Sequence, residues 1–219
     1  MTPAGLLARF RGFPYENATK IVAGRRRTAD EMMRDHALHG AGGTCFDLVH
    51  LFHRLARDAG LDARLALADR ASGPDTHCAV IVGDVLCDPG YMQFQPIPLG
   101  GAPVEIDTPY NRLRVEPRGN GWDVSTVDSG RPRLRYHLKP DRVSEDDFSD
   151  AWARSFEREM MHHLVTIVAR EDRLIYLRDG HWHEFTRAGR VVRDVPPAAA
   201  CELGLSREVV GRALAVLGR

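Results

Sequence analysis

What the chain lacks narrows its chemistry first. No apolar stretch approaches the ~20 residues needed to cross a bilayer, so no membrane role is expected. The net charge is zero, with 30 Lys and Arg against 30 Asp and Glu, so no global field draws in nucleic acid or an anionic surface. The three tryptophans, Trp122, Trp152 and Trp182, are scattered and not interleaved with basic residues, which argues against a stacking platform for bases. Of the 4 cysteines (Cys45, Cys78, Cys87, Cys201) no two have Cys-x-x-Cys spacing, so neither a disulfide framework nor a zinc knuckle is expected. The opening residues show no long apolar core and no cleavage pattern, and a reducing, cytoplasmic setting is the natural expectation. Lysine is also scarce: among 30 Lys and Arg only Lys20 and Lys139 are lysine, which reflects genome composition more than function. The run Arg25-Arg26-Arg27 reads as a solvated turn ahead of a helix. The 10 histidines include pairs three apart (His36 and His39, His50 and His53), but no thiol or carboxylate pattern completes a metal site, and none is expected.

What the chain does have is an ordinary globular composition over 219 residues, enough for a proper core. Thr28 with Glu31 predicts a capped helix to His39, ended by Gly40. A second runs from about Cys45 to Ala59, with Leu48, Val49, Phe52, Leu55 and Ala56 on one face and Gly60 closing it. The middle is strand-rich: Leu61 to Asp69, His77 to Val82, a Gly83-Asp84 turn into Val85 to Cys87, then Arg112 to Glu116, Trp122 to Val127 and Arg133 to Leu138, with a hairpin at Arg118-Gly119-Asn120-Gly121. Ser144 caps a helix to about Arg154. Four further β runs lie between Leu164 and Val195, and Ser206 to Leu217 closes the chain as a helix. Helices, then strands, then a mixture of both predict an α+β fold.

Chemistry concentrates at three points. Cys45 stands behind Gly42-Gly43-Thr44 at a helix start, where the helix dipole and unpaired N–H groups favour a thiolate. The glycines would let a substrate carbonyl approach the backbone, and the N–H groups would hold an oxyanion. His77 and Asp88 follow on adjacent strands. Cys45, His77 and Asp88 thus fill the roles of nucleophile, base and orienter. Strand alternation turns Cys78 and Cys87 away from the faces of His77 and Asp88, so both read as packing thiols.

These residues resemble the arylamine N-acetyltransferases. Phe13-Pro14-Tyr15-Glu16-Asn17 is similar to that family's Pro-Phe-Glu-Asn-Leu segment, and Gly42-Gly43-Thr44-Cys45-Phe46-Asp47 to its Arg-Gly-Gly-Tyr-Cys-Phe-Glu motif. Thr76-His77 before an apolar strand resembles Thr-His-Met-Val-Leu, and Asp88-Pro89-Gly90-Tyr91 resembles Asp-Val-Gly-Phe-Gly. The resemblance implies a shortened, divergent member with a cysteine-proteinase-like plan: an N-terminal helical bundle carrying the nucleophile (1–60), a central β-barrel carrying His77 and Asp88 (61–140) and a C-terminal α/β lid (141–219). It implies a cysteine-dependent acyltransferase, with acetyl-CoA or another acyl thioester as co-substrate, no permanently bound cofactor, and an amine as acceptor. The small-molecule amine or acyl substrate would be lined by Tyr15, Thr44, Thr76, Gly90 and Tyr91, and the thioester donor would meet Thr76, Gly90 and Met92. An acyl-carrier protein is a possible partner. The rival readings are an amide synthase or macrolactam-forming enzyme, a thioesterase-like hydrolase, and a degenerate binder of acyl ligands. Three departures carry expectations. Ala41 replaces the motif arginine and Asp47 its glutamate, so a buried ion pair is expected to be lost. Met92 replaces the second glycine of the Gly-Phe-Gly loop, so its side chain is expected to crowd the pyrophosphate path and make acetyl-CoA a poorer donor than a small thioester.

Overall fold

A computed structural model describes residues 1–128 and 130–219 of the chain. Helices dominate the beginning: α1 (Pro3–Arg9), then a two-residue strand β1 (Tyr15–Glu16), then α2 (Ala18–Ala23), α3 (Ala29–His39) and α4 (Cys45–Asp58). The strands β2 (Ala63–Arg70), β3 (Gly73–Val82), β4 (Val85–Cys87), β5 (Ile97–Pro98), β6 (Val104–Asp107), β7 (Arg112–Arg118), β8 (Gly121–Asp128) and β9 (Arg131–Leu138) follow. The chain ends with α5 (Glu145–Arg154), β10 (Val165–Ala169), β11 (Leu174–Arg178), β12 (His181–Thr186), β13 (Gly189–Asp194) and α6 (Arg207–Val216). Among the described residues no helix is long and apolar enough to cross a membrane.

The local signals act as expected at the helix ends. Thr28 and Glu31 exchange side-chain and backbone hydrogen bonds at the start of α3, and Gly40 ends it in the left-handed conformation at φ 64°. Helix α4 buries Leu48, Val49, Leu51, Phe52 and Ala56 and stops at Asp58, two residues before Gly60.

Strands β2 to β9 form one antiparallel sheet in the order β5-β4-β3-β2-β9-β8-β7-β6, whose edges β5 and β6 come together to leave a nearly closed barrel. Alternation sorts the two faces. Ala66, Ala79, Ile81, Leu86, Val124 and Leu138 fill the interior. Leu65, Leu67, Cys78, Val80 and Val82 lie on the outside and carry α4.

The second sheet has the order β1-β10-β11-β12-β13. Its core joins Ala18, Ile21 and Ala41 to Leu164, Leu177, Val209 and Ala213, so α2 and α6 pack together although they lie at opposite ends of the chain. The cores therefore cross the borders expected at 60 and 140.

Strand β1 is the join. Tyr15 and Glu16 pair with Ile167 and Thr166 on one side. On the other, Tyr15 bridges Gly43, and the Glu16 N–H donates to the Gly43 carbonyl at 3.0 Å. Two residues are too few for periodicity to reveal, and no sequence signal marked this strand. The glycines of the nucleophile loop answer to this packing and not to substrate access. A Cβ on Gly42 would stand 1.9 Å from the Pro14 carbonyl oxygen, and one on Gly43 would stand 2.4 Å from Asp47 Cβ. Gly42→Ala is accordingly expected to destabilise the fold by roughly 1–3 kcal/mol in urea denaturation, as overpacking against backbone does. A loss below about 0.5 kcal/mol, the range of ordinary surface changes, would show that β1 does not clamp the loop.

Candidate active site

Strand register brings two of the three residues together. β3 and β4 pair Val80 with Cys87 and Val82 with Val85 around the Gly83-Asp84 turn. Leu86 and Asp88 then share the barrel-interior face with Ile81, Ala79 and His77. His77 Nε2 and Asp88 Oδ2 are 2.8 Å apart, and both side chains are fully buried. The Tyr136 hydroxyl, on β9, donates to the same carboxylate oxygen at 2.6 Å, and the Tyr91 N–H donates to the other at 2.9 Å. Asp88 is thus held by three donors and fixes the ring of His77. With Nε2 bound, Nδ1 is the nitrogen left to face Cys45, and among the described residues it is a buried polar atom without a hydrogen-bond partner.

Cys45 is the first residue of α4, and the Asp88-Pro89-Gly90 turn is packed directly on it. A Cβ on Gly90 would stand 2.8 Å from both Cα and Cβ of Cys45. A hydrogen bond from Cys78 is the largest influence on the Cys45 thiol. With the hydrogen bond and charge of His77 it outweighs burial and holds the thiol well below its ordinary pKa. Burial alone would lower His77, but the charge and hydrogen bond of Asp88, and then Cys45, push it up to about 9. Both shifts favour a thiolate paired with an imidazolium.

Cys78 is buried in the core, as a packing thiol is expected to be. Alternation turns it away from His77 and towards α4, and the residue it meets there is Cys45. Burial, followed by the neighbouring Cys45, pushes its own thiol well up, so it stays protonated and donates. Cys87 is a packing thiol, pushed up to about 12 by burial and by Asp88.

The loop behind the nucleophile corrects two expectations. Asp47 Oδ2 accepts from the Thr44 N–H at 2.9 Å and from its hydroxyl at 2.7 Å. Arg27 is not in a solvated turn; it is buried, and its guanidinium lies 3.6 Å from Asp47 Oδ1, donates to the Gly42 carbonyl at 2.7 Å and pairs with Asp35 at 2.9 Å. The buried ion pair expected to be lost at Ala41 exists, with its cation supplied from elsewhere in the sequence. Burial raises the buried Glu16 carboxyl while the Arg27 charge opposes that rise.

The remaining candidates fall into two groups. Tyr15 and Tyr91 lie beside the reacting groups: the Cys45 charge, after burial, raises Tyr15, and the Tyr91 ring is 6.1 Å from that of His77. Thr44 and Thr76 have hydroxyls already engaged, Thr44 on Asp47 and Thr76 on the Gly73 carbonyl at 2.9 Å. Met92 overturns the crowding argument. It takes the left-handed conformation at φ 59°, as a glycine would, but its side chain is buried in the core and its carbonyl accepts from the Tyr110 hydroxyl at 2.5 Å. Tyr91 also lines a cleft of ≈ 800 Å³ between barrel and second sheet, walled by Arg112, Arg133, Arg135, Arg187 and Arg190. No sequence pattern marked this basic wall, because its arginines come from three separate stretches of two sheets: β7, β9 and the β12–β13 hairpin. Among the described residues no group of three or more His, Cys, Asp or Glu could hold a metal.

No protein-family model matches the chain, and no curated protein is similar to it in sequence. Solved structures are similar in fold. The arylamine N-acetyltransferase of Mycobacterium marinum superposes with a TM-score of 0.84 over 98% of this chain and 90% of its own, at 18% identity. The same enzyme in complex with CoA gives 0.83 over 97% and 90%, also at 18%. The arylamine N-acetyltransferase of Salmonella typhimurium gives 0.77 over 97% and 89%, at 21%. The chain has the fold of these enzymes over nearly its whole length.

Two measurements probe the geometry. Iodoacetamide at pH 6 is expected to label Cys45 more than about ten-fold faster than Cys78 or Cys87, since only a depressed thiol is ionised there. The rate should climb at a lower pH than for an ordinary thiol and change again near pH 9 as His77 loses its proton. Equal labelling of the thiols would remove the ion pair. Tyr136→Phe leaves Asp88 buried with one donor fewer and should cost roughly 1.5–3 kcal/mol of stability, the range for a hydrogen bond to a charged group. An unchanged denaturation midpoint would show that the Tyr136 hydroxyl contributes nothing.

Proposed function

We propose that this chain, with the fold of the arylamine N-acetyltransferases, is a cysteine-dependent acyltransferase that carries an acyl group from a thioester donor to an amine through acyl-Cys45. One observation carries the reading: a buried thiol at the first turn of a helix faces an imidazole whose far nitrogen is already bound, 2.8 Å away, by a buried carboxylate. Such a line has no structural need that an apolar trio would not meet more cheaply.

The Cys45 thiolate attacks the thioester carbonyl. The oxyanion forms beside the first-turn N–H groups of α4, which have no partner within the helix. Collapse expels the donor thiolate, which takes the proton from His77 Nδ1. In the second half-reaction the amine attacks acyl-Cys45, His77 accepts the amine proton, and the Cys45 thiolate leaves as the amide forms. Asp88 keeps the imidazole in orientation throughout and stabilises its charged form.

The CoA complex of the Mycobacterium marinum protein makes acyl-CoA the first donor to consider. In this chain the arginine-walled cleft beside Tyr91 offers a place for its phosphates. With the Met92 thioether buried, the reason to expect acetyl-CoA to be a poor donor is gone.

Intact-protein mass spectrometry after incubation with acetyl-CoA, an acetyl N-acetylcysteamine thioester and an acetylated carrier protein tests the reading. Acetylation at Cys45, absent in Cys45→Ala and discharged by an arylamine, is the expected result. Folded protein that no donor acylates would mark a degenerate binder, and discharge by water alone a hydrolase. Arg133→Glu together with Arg190→Glu should raise KM for acetyl-CoA about ten-fold or more and leave the small thioester unaffected, as lost phosphate pairing implies. Met92→Gly should leave the ratio between these two donors unchanged.

A further inference from the structure

We propose that Arg27 is a positioning residue for the reaction, holding the Cys45 loop from behind by binding the Gly42 carbonyl and the Asp47 carboxylate in place of the arginine missing at position 41. The inference rests on the acyltransferase reading for its importance, but its geometry stands on its own.

Position 41 is a fully buried alanine. The motif this segment resembles has arginine there, one residue before the two glycines. Here the guanidinium arrives from the link between α2 and α3. It reaches 2.7 Å from the Gly42 carbonyl oxygen and 3.6 Å from Asp47 Oδ1, and Asp35 holds its other end at 2.9 Å. Asp47 in turn binds both the N–H and the hydroxyl of Thr44, the residue before Cys45. A path of one ion pair and charge-assisted hydrogen bonds therefore runs from Arg27 through Asp47 to the peptide next to the nucleophile.

The fit is close. A Cβ on Gly43 would stand 2.9 Å from the Arg27 Nη2, so the guanidinium lies against the loop backbone itself. The charges facing it are the buried Glu16 and Asp47 and the half-buried Asp35, and the buried Lys20 is the other cation near Asp47. Without Arg27, Glu16 and Asp47 would remain as two buried carboxylates short of a cation. Asp47 would then be free to release Thr44, and with it the alignment of Cys45 against His77 and Cys78. A lysine could supply charge from a single nitrogen but not the planar fork whose two nitrogens reach Asp35 and the Gly42 carbonyl separately.

The test compares wild type with Arg27→Lys, Arg27→Leu and the double variant Arg27→Ala/Ala41→Arg, reading the pH profile of Cys45 alkylation together with thermal unfolding. In folded Arg27→Lys and Arg27→Leu the alkylation midpoint should move up by a unit or more, and acylation by a thioester should slow by about a hundred-fold, the usual consequence of misplacing a nucleophile by about 1 Å. Restoration of the low midpoint in the double variant would show that a guanidinium at this spot is what matters, from whichever position it comes. A merely structural role would lower the unfolding temperature and leave the midpoint of the folded fraction where it was. Folded Arg27→Lys or Arg27→Leu with a wild-type alkylation profile would overturn the proposal. Should Arg27→Leu fail to fold, the alkylation profile of the lysine variant decides alone. Because alkylation needs no acyl donor, a wild-type Cys45 that is reactive but never acylated would defeat the acyltransferase reading and leave Arg27 in its positioning role.

Discussion

The contact between Gly90 and Cys45 is the constraint on which the rest of the structure depends. The two residues belong to different cores: Cys45 opens a helix packed outside the barrel, and Gly90 follows a strand whose neighbours line the inside. They meet with no room for a methyl group between them. That approach is possible only if α4 docks squarely on β2 and β3 and if β4 ends where it does. A slip of one residue between β3 and β4 would turn Asp88 to the outer face and separate it from His77. Helix packing, barrel register and the sharp turn after Asp88 are thus fixed together by one close contact.

Around that contact the protein buries an unusual amount of charge. His77 and Asp88 lie in front of the nucleophile, and Glu16, Lys20, Arg27 and Asp47 lie beside and behind it. Each must be paired and hydrogen-bonded to be tolerated. Lys20 rests on the Ser155 hydroxyl at 2.5 Å and over the Phe156 ring, while Glu16 is tied to the N–H and hydroxyl of Thr19. Removing any partner leaves a buried charge uncompensated, so the set rigidifies the loop as a unit. The candidate pair is set apart by its balance: the Cys45 thiolate and the His77 cation are each favoured by the other and by one fixed neighbour, Cys78 and Asp88 respectively.

Much of this was legible in the sequence, for local reasons. Thr28 with Glu31 and the glycine at 40 announce α3, the apolar face from Leu48 to Ala56 announces α4, and the turn at Gly83-Asp84 announces the hairpin that leads to Asp88. Cys45 and Asp88 stood out because each sits where an element begins or ends, and His77 because it opens the apolar run of its strand. What stayed hidden was non-local. Arg27 looks like one more solvated arginine until the chain folds Gly42 and Asp47 onto it. Cys78 was placed on the correct face, but only the docking of α4 shows that the face belongs to Cys45. Met92 was read as a glycine replaced by bulk, whereas its backbone keeps the left-handed conformation and its side chain finds the core. β1 escaped altogether, since two residues carry no period.

That short strand also explains how the C-terminal third takes part in the site without supplying any of the three residues. β1 is hydrogen-bonded to β10 along one edge and to Gly43 along the other, so the second sheet is continuous with the nucleophile loop. Tyr15 projects from this strand towards Cys45, with its hydroxyl 3.5 Å from the Met160 sulfur. The β12–β13 hairpin at the far side of the same sheet closes the arginine-walled cleft through Arg187 and Arg190. Backbone hydrogen bonds thus link the sheet that walls the cleft to the loop that carries Cys45, and they do not depend on side-chain identity. Such links can persist while the sequence drifts, which agrees with a fold kept over nearly the whole chain at 18% identity.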